Sequence, residues 1–354
     1  MNLKKILCIK SFGVVMNRVK LRFSDLIIEF IDRDKGIKQI YEFAEKGTWH
    51  PVVVFGPEGC GKTSWLLQAI EIFKDLGYGV IYFNPLRKQF EAEVGIESLR
   101  QRALDIVKQA ALEHVLAKFI WVVIDFINDA LRYGRKKLAI VVDDAFQYLG
   151  LREAAAFVKG ILEVIEHPDV EYERIVAIVA TSEGLSRYEI GRHRWALIRP
   201  MWNMDKKGFE ELYELIRKRV LDNIPKFDDV WRLTGGNPDI FLRLHQARWN
   251  VDEVIDDVIK SKKLTPSFIA NWRSWLEKAV GDPDTLWSAE VPEELINKLI
   301  ERNLIVYDLY NRDPWFWIDE PPSEKDLEIG VGKYIAWQTP LYREAIKKTL
   351  HIYS

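Results

Sequence analysis

The run Gly56, Pro57, Glu58, Gly59, Cys60, Gly61, Lys62, Thr63, Ser64 narrows the folds open to this chain more than any other feature. Its glycines let successive backbone N–H groups turn to one side, and such a loop is presented where a buried strand enters it and a helix leaves it. Both flanks are present. Residues 51–55 are an unbroken apolar run of strand length, and beyond the loop Trp65, Leu66, Ile70 and Phe73 fall at helical spacing until Gly77 and Gly79 stop it. Strand, glycine loop and helix in that order commit the chain to an α/β architecture built on a parallel sheet.

Further apolar runs at 80–83, 138–142, 175–180 and 196–198 lack the alternation of a one-sided strand, as expected where helices cover both faces of a sheet. Helical patterns at 99–133, long enough for two helices, and at 153–166 separate them. The expectation is a doubly wound sheet of five strands with its ligand chemistry at their carboxyl ends.

From Asp205 the pattern is helical alone, at 207–223, 227–234, 238–249 and 251–261. Gly235 and Gly236 form a turn, Asn237 is placed as N-cap and Pro238 at the first helical position. After Pro266 more helices follow, 293–302 the clearest, and then strands at 304–310 and 333–338, which together suggest a winged-helix module. A chain of 354 residues exceeds one small core. The divisions drawn are a basic extension at 1–29, a P-loop core at 30–204, a helical lid at 205–262 and a winged-helix-like domain at 263–354.

A formal charge of −2 argues against a nucleic-acid footprint spread over the whole molecule. Positive charge gathers between Lys4 and Lys38, where solvated surface is the plain reading. Two cysteines, Cys8 and Cys60, make no disulfide framework, which fits a reducing cytoplasm. The most apolar internal stretch, 119–127, holds Asp125 and is too short for a membrane span, so no membrane partner is expected.

The loop satisfies GxxxxGK[ST], in which the backbone cradles phosphates while the following helix turns its positive end to the same anion. Lys62 is placed to reach the outer phosphates of a nucleoside triphosphate, and the Thr63 hydroxyl to ligate Mg²⁺. Cys60 occupies a variable position, where a small tolerated side chain is the plain reading. The strand at 138–142 ends in Asp143 and Asp144; downstream of a phosphate loop the first suits the metal and the second the attacking water. A turn-capping acid pair is the structural alternative. Thr181 and Ser182 end the next strand, where they could touch the outer phosphate or simply make the turn. Beyond them Arg187, Arg192 and Arg194 are the candidates for an arginine finger toward a neighbouring subunit, or are simply solvated, with Arg187 taken into the catalytic set.

With these elements in this order the chain resembles the additional-strand P-loop ATPases of the AAA+ and STAND branch, and within them the archaeal ATPase family. The resemblance runs from about residue 30 to the end. It rests on Phe30, Ile31, Asp32, Arg33 and Asp34, on the phosphate and metal motifs, on Thr234, Gly235, Gly236, Asn237 and Pro238, and on Thr339, Pro340, Leu341, Tyr342 and Arg343. It implies ATP with Mg²⁺, a helical lid and a C-terminal winged helix. It also implies that Arg33 and Pro238 lie on the adenine side and that Arg243 stands at a sensor-2 position. The chain departs from the family at Asp144, where Glu is usual; Asp is one methylene shorter, and slow water activation is the expectation. A one-residue register change, suggested by Phe146 and Gln147, would put Asp144 at the metal and Ala145 at the catalytic position.

The leading expectation is therefore a Mg²⁺-dependent ATPase whose nucleotide state moves lid and winged helix, in a DNA-related process. A slow nucleotide-dependent switch in signalling, regulation or defence is the second. A P-loop kinase fits less well, because paired acids and a large C-terminal half suit water activation and conformational coupling. DNA is a weakly supported partner, since the region after Val251 is acidic on balance. A protein partner or a second copy of the chain stays open.

Overall fold

The computed structural model describes residues 17–84, 87, 89–93, 116–134, 136–144, 146, 150–182, 184–220 and 224–353. Ahead of the main sheet, β1 (Lys20–Phe23) and β2 (Leu26–Glu29) pair antiparallel as a hairpin. The sheet holds β3 (Val52–Phe55), β4 (Gly79–Asn84), β5 (Gln89–Glu93), β6 (Lys137–Val142), β7 (Arg174–Thr181) and β8 (Leu197–Pro200), in the spatial order β5-β4-β6-β7-β3-β8. Neighbours are parallel except β5, which runs antiparallel to β4 at the edge. Strand β7 stands between β3 and β6, so the acids after β6 reach the glycine loop across one intervening strand.

Successive strand residues pack on opposite faces. Val52 and Val54 join Ile37 and Ile40 of α1 (Asp34–Lys46) and Trp65 and Leu66 of α2 (Lys62–Asp75). Val53, Ile81 and Ile140 join Ile127 of α3 (Leu116–Arg132) and Phe157 of α4 (Leu151–Glu166) on the other side. Cover on both faces is why these strands read as continuous apolar runs.

The five expected strands are present, and β5 makes a sixth. Its Gln89, Glu91 and Glu93 suit an unpaired edge but leave no apolar run to find. Of the helical stretch expected at 99–133, the part before Leu116 lies outside the described residues.

Beyond α5 (Gly184–Gly191) come α6 (Lys206–Arg217), α7 (Phe227–Thr234), α8 (Pro238–Gln246) and α9 (Val251–Ser261). Helix α8 stops short of the expected residue 249 because Arg248 and Trp249 take φ values of 52° and 66°, turning the chain toward Asn250, the N-cap of α9. The expected helix at 207–223 likewise ends at Arg217, and residues 221–223 lie outside the described set. Then follow α10 (Pro266–Gly281), α11 (Glu293–Glu301), β9 (Ile305–Tyr307), β10 (Ile335–Trp337) and α12 (Pro340–Ile352), with β9 and β10 antiparallel. One hydrophobic cluster runs from Ile240 to Leu350 and joins these elements to α8 and α9. Among the described residues no helix is long and apolar enough to cross a membrane.

The stretch read as basic surface is only partly that. Lys20 and Arg22 face solvent, but Phe23 and Ile28 are buried against Phe209 and Leu212 of α6 and Phe241 of α8.

One buried side chain joins regions far apart in sequence. Asp32 and Arg33 take left-handed φ values of 61° and 64° just before α1, which turns the Arg33 guanidinium inward. Nη1 donates to Asp319 Oδ2 at 2.9 Å, and Nη2 donates to the carbonyls of Cys60 at 2.6 Å and Trp202 at 3.0 Å. Both partners of the ion pair are buried, so removing either leaves an uncompensated charge. Asp319→Ala is expected to lower the unfolding free energy by about 3 kcal/mol, and Arg33→Met combined with Asp319→Leu to recover part of that loss. Urea unfolding measures both, and wild-type stability in Asp319→Ala would show that the pair carries no weight.

Candidate functional site

Strand β3 delivers the chain to Gly56 and α2 begins at Lys62, so the expected loop lies between them. Gly59 and Gly61 have φ values of 76° and 100°, a region glycine enters without the Cβ penalty. Gly59 has a second reason to lack a side chain, since a Cβ there would stand 2.3 Å from Asp239 Cβ. Lys62 is buried inside the curve of the loop, where Nζ donates to the carbonyls of Gly56 at 2.9 Å and Pro57 at 2.8 Å. Cys60 is buried in the apolar cluster beneath, as a small filler.

Asp143 follows β6, and its N–H donates to Phe83 O at 2.8 Å, holding it against β4. Its Oδ2 accepts from Asn84 Nδ2 at 3.2 Å and from the Tyr82 hydroxyl at 3.4 Å. Ala145, the catalytic position of the shifted register, lies outside the described residues, and Phe146 is buried in the core. Burial, reinforced by the Asp144 charge, pushes Asp143 up to about 6 against the pull of Thr63 and Lys62. Burial also raises Asp144, with Lys62 and Arg87 opposing. Asp144 is half-buried with a left-handed φ of 53°, an unfavoured conformation for Asp of the kind often kept at working sites. Thr181 is buried at the end of β7 in register with Phe55.

A cavity of about 680 Å³ is bordered by residues 58–64, Asp144, Ser182, Arg33 and Pro238. Arg33 borders it while its guanidinium is held by the three acceptors named above. Two of the expected residues stand apart from it. Arg187 is turned away from the cavity: it donates to the carbonyls of Tyr307 at 2.7 Å and Asp308 at 2.6 Å and lies between the rings of Phe55 and Tyr310. Arg243 pairs with Asp257 of α9 and is not among the residues bordering the cavity. Long cationic side chains take the nearest acceptors, which sequence position does not reveal. Sequence reasoning missed Asn84 and Tyr82, which reach Asp143 only through the pairing of β4 with β6, and Asp239, which borders the cavity from the first turn of α8.

Residues 30–244 match the family described as an ATPase domain predominantly from Archaea. The chain belongs to that family. Membership makes this chain an ATPase whose domain spans those residues. Similar solved structures include the Aeropyrum pernix ORC2 protein in ADPNP–ADP complexes, at 13% identity and TM-score 0.40 over 79% of this chain and 71% of that one. AMPPCP-bound DnaA from Aquifex aeolicus aligns at 15% identity and TM-score 0.38 over 72% and 75% of the two chains. A Thermotoga maritima RuvB mutant aligns at 12% identity and TM-score 0.37 over 78% and 87%. No curated protein matches the chain.

The raised Asp143 carboxyl gives this ATPase domain a pH signature. A carboxyl whose folded value of about 6 exceeds its unfolded 3.8 supports folding fully below 3.8 and loses that support as pH rises through 6. In ligand-free protein, Asp143→Asn is therefore expected to be more stable than wild type at neutral pH, on the order of 2 kcal/mol, with the difference vanishing at acid pH. Denaturant unfolding across pH checks this, and a gain that persists in acid would mean the carboxyl titrates normally.

Proposed function

We propose that the chain binds ATP with Mg²⁺ between the glycine loop and the acids after β6, and that nucleotide state moves α6–α9 and the C-terminal elements relative to the sheet. The observation that carries this reading is at Glu58, on the tip of the loop. Its carbonyl accepts from Asn237 Nδ2 at 2.9 Å, its N–H donates to Gln338 Oε1 at 2.9 Å, and its carboxylate pairs with Lys262 at 2.6 Å. Asn203 closes the network, accepting from Asn237 Nδ2 at 2.8 Å and donating to Gln338 O at 2.9 Å. A displacement of the loop is passed at once to α8, to the end of α9 and to the segment ahead of α12.

The residues fit Mg²⁺, which is usually held by one or two carboxylates together with substrate phosphates. Asp143 and the Thr63 hydroxyl would hold it, and a cation there would offset the burial that disfavours the Asp143 charge. A bound Mg²⁺ supplies neutralisation of phosphate charge. Lys62 exchanges its loop carbonyls for phosphate oxygens, the loop N–H groups orient the same phosphates, and Asp144 orients the attacking water and draws its proton. The β9–β10 pair after α11 serves in this reading as the wing of a winged helix. Slow turnover is favoured over fast, because Arg187 and Arg243 are committed to Asp308 and Asp257 and neither guanidinium is turned to the phosphate end.

Lys62→Ala is expected to weaken Mg·ATP binding about 10- to 100-fold. Asp144→Ala keeps binding within about threefold and lowers single-turnover hydrolysis by about 100-fold; undiminished turnover would remove Asp144 from the chemistry. The coupling has its own readout. Limited proteolysis of wild type should change on adding Mg·ATP in the region 205–354, and Asn237→Ala should abolish that change while ATP still binds.

A further inference from the structure

The cavity is also walled by the β1–β2 hairpin, which lies ahead of the family match beginning at residue 30. From the hairpin come Leu21 and Ile28, and Leu67 of α2, Leu212 of α6 and Leu242 of α8 line the same cavity. These apolar side chains, beside the charged Lys20, Arg22 and Glu29 of the hairpin, border the same space as the phosphate loop, and such a shared space suits a flat heterocycle joined to a polyanion. The whole volume, about 680 Å³, lies within the range of roughly 300–1,000 Å³ usual for small-molecule sites.

The hairpin is held in place from two sides. The buried Gln68 of α2, within the helix that begins at Lys62, accepts from Val19 N–H at 3.0 Å and donates to Asn17 O at 3.0 Å. At the other end Arg219, just past α6, donates to Ile27 O at 2.7 Å. Leu21 is half-buried and packs against both the cluster beneath the loop and the cluster of the helical unit.

Building on the ATP-binding reading above, we infer that the hairpin forms the outer wall of the nucleobase subsite, with Leu21 as the residue that meets the base. It is a binding element specific to the base, remote from the phosphates, and anchored jointly to the phosphate-loop helix and to α6.

The test uses the full chain and two ligands, Mg·ATP and Mg·tripolyphosphate, which share phosphates and differ by the nucleoside. Leu21→Trp fills the subsite and is expected to weaken ATP about tenfold while leaving tripolyphosphate within about twofold. Leu21→Ala, the gentler change, is expected to weaken ATP about threefold with tripolyphosphate again unchanged. Thermal unfolding of both variants verifies that they are folded. If wild type binds ATP and both variants bind it equally well, the subsite assignment is wrong and the ATP-binding reading stands. Parallel loss of both ligands also overturns it, since the hairpin would then act through the shape of the loop. Failure of folded wild type to bind ATP removes both readings together.

Discussion

A guanidinium buried between the ends of four segments organises this molecule. Arg33 precedes α1, Cys60 belongs to the glycine loop, Trp202 follows the last strand of the sheet and Asp319 lies in the C-terminal part of the chain. A charge taken out of water is tolerated only when its hydrogen-bond positions are filled and its sign balanced. Arg33 meets that demand with one carboxylate and two carbonyls, so the four segments cannot drift apart without exposing a large electrostatic cost. The glycine loop thereby owes part of its position to a residue outside the family match.

The second joint, at Glu58, works differently. Apart from the half-exposed Lys262–Glu58 pair, it is made of carboxamides and main-chain groups: Asn203, Asn237 and Gln338. Neutral hydrogen bonds of this sort are individually modest and can be exchanged for others of similar strength, which suits contacts meant to rearrange. The loop is thus held on one side by a charge that resists movement and on the other by amides that permit it. Such an asymmetry directs displacement toward α8 and the segment before α12.

What could be read in the sequence followed from local chemistry. The loop, its strand and its helix are contiguous, and strands covered on both faces announce themselves as apolar runs. Asn237 and Pro238 reveal the start of α8 because capping is a short-range event, and Asn237 does accept from the N–H groups of Asp239 and Ile240. Strand β5 was illegible because an edge strand is polar by need, and the hairpin because counting Lys20 and Arg22 as charge hides the alternation of Leu21 and Phe23. Within the site, Asp143 was legible and its partners Asn84 and Tyr82 were not, since the order of strands decides who stands beside whom. The partners of Arg187 and Arg243 were not legible because a long cationic side chain can swing to any acceptor within reach, here a strand-end carbonyl and a neighbouring helix carboxylate.

Protein synthesis is vectorial, and the separation of Arg33 from Asp319 by 286 positions acquires meaning on the ribosome. The strand, loop and helix that carry the phosphate motif emerge early, but the counter-charge for Arg33 and the amide that fastens Glu58 emerge only after residues 319 and 338. Until then a nascent chain holds the motif without the geometry, with a guanidinium still in water and the loop untethered. A fragment ending before residue 319 would carry every residue by which the loop is recognised and lack the contacts that shape it. For this chain, the contacts that shape the loop are gained only once residues 319 and 338 have been made.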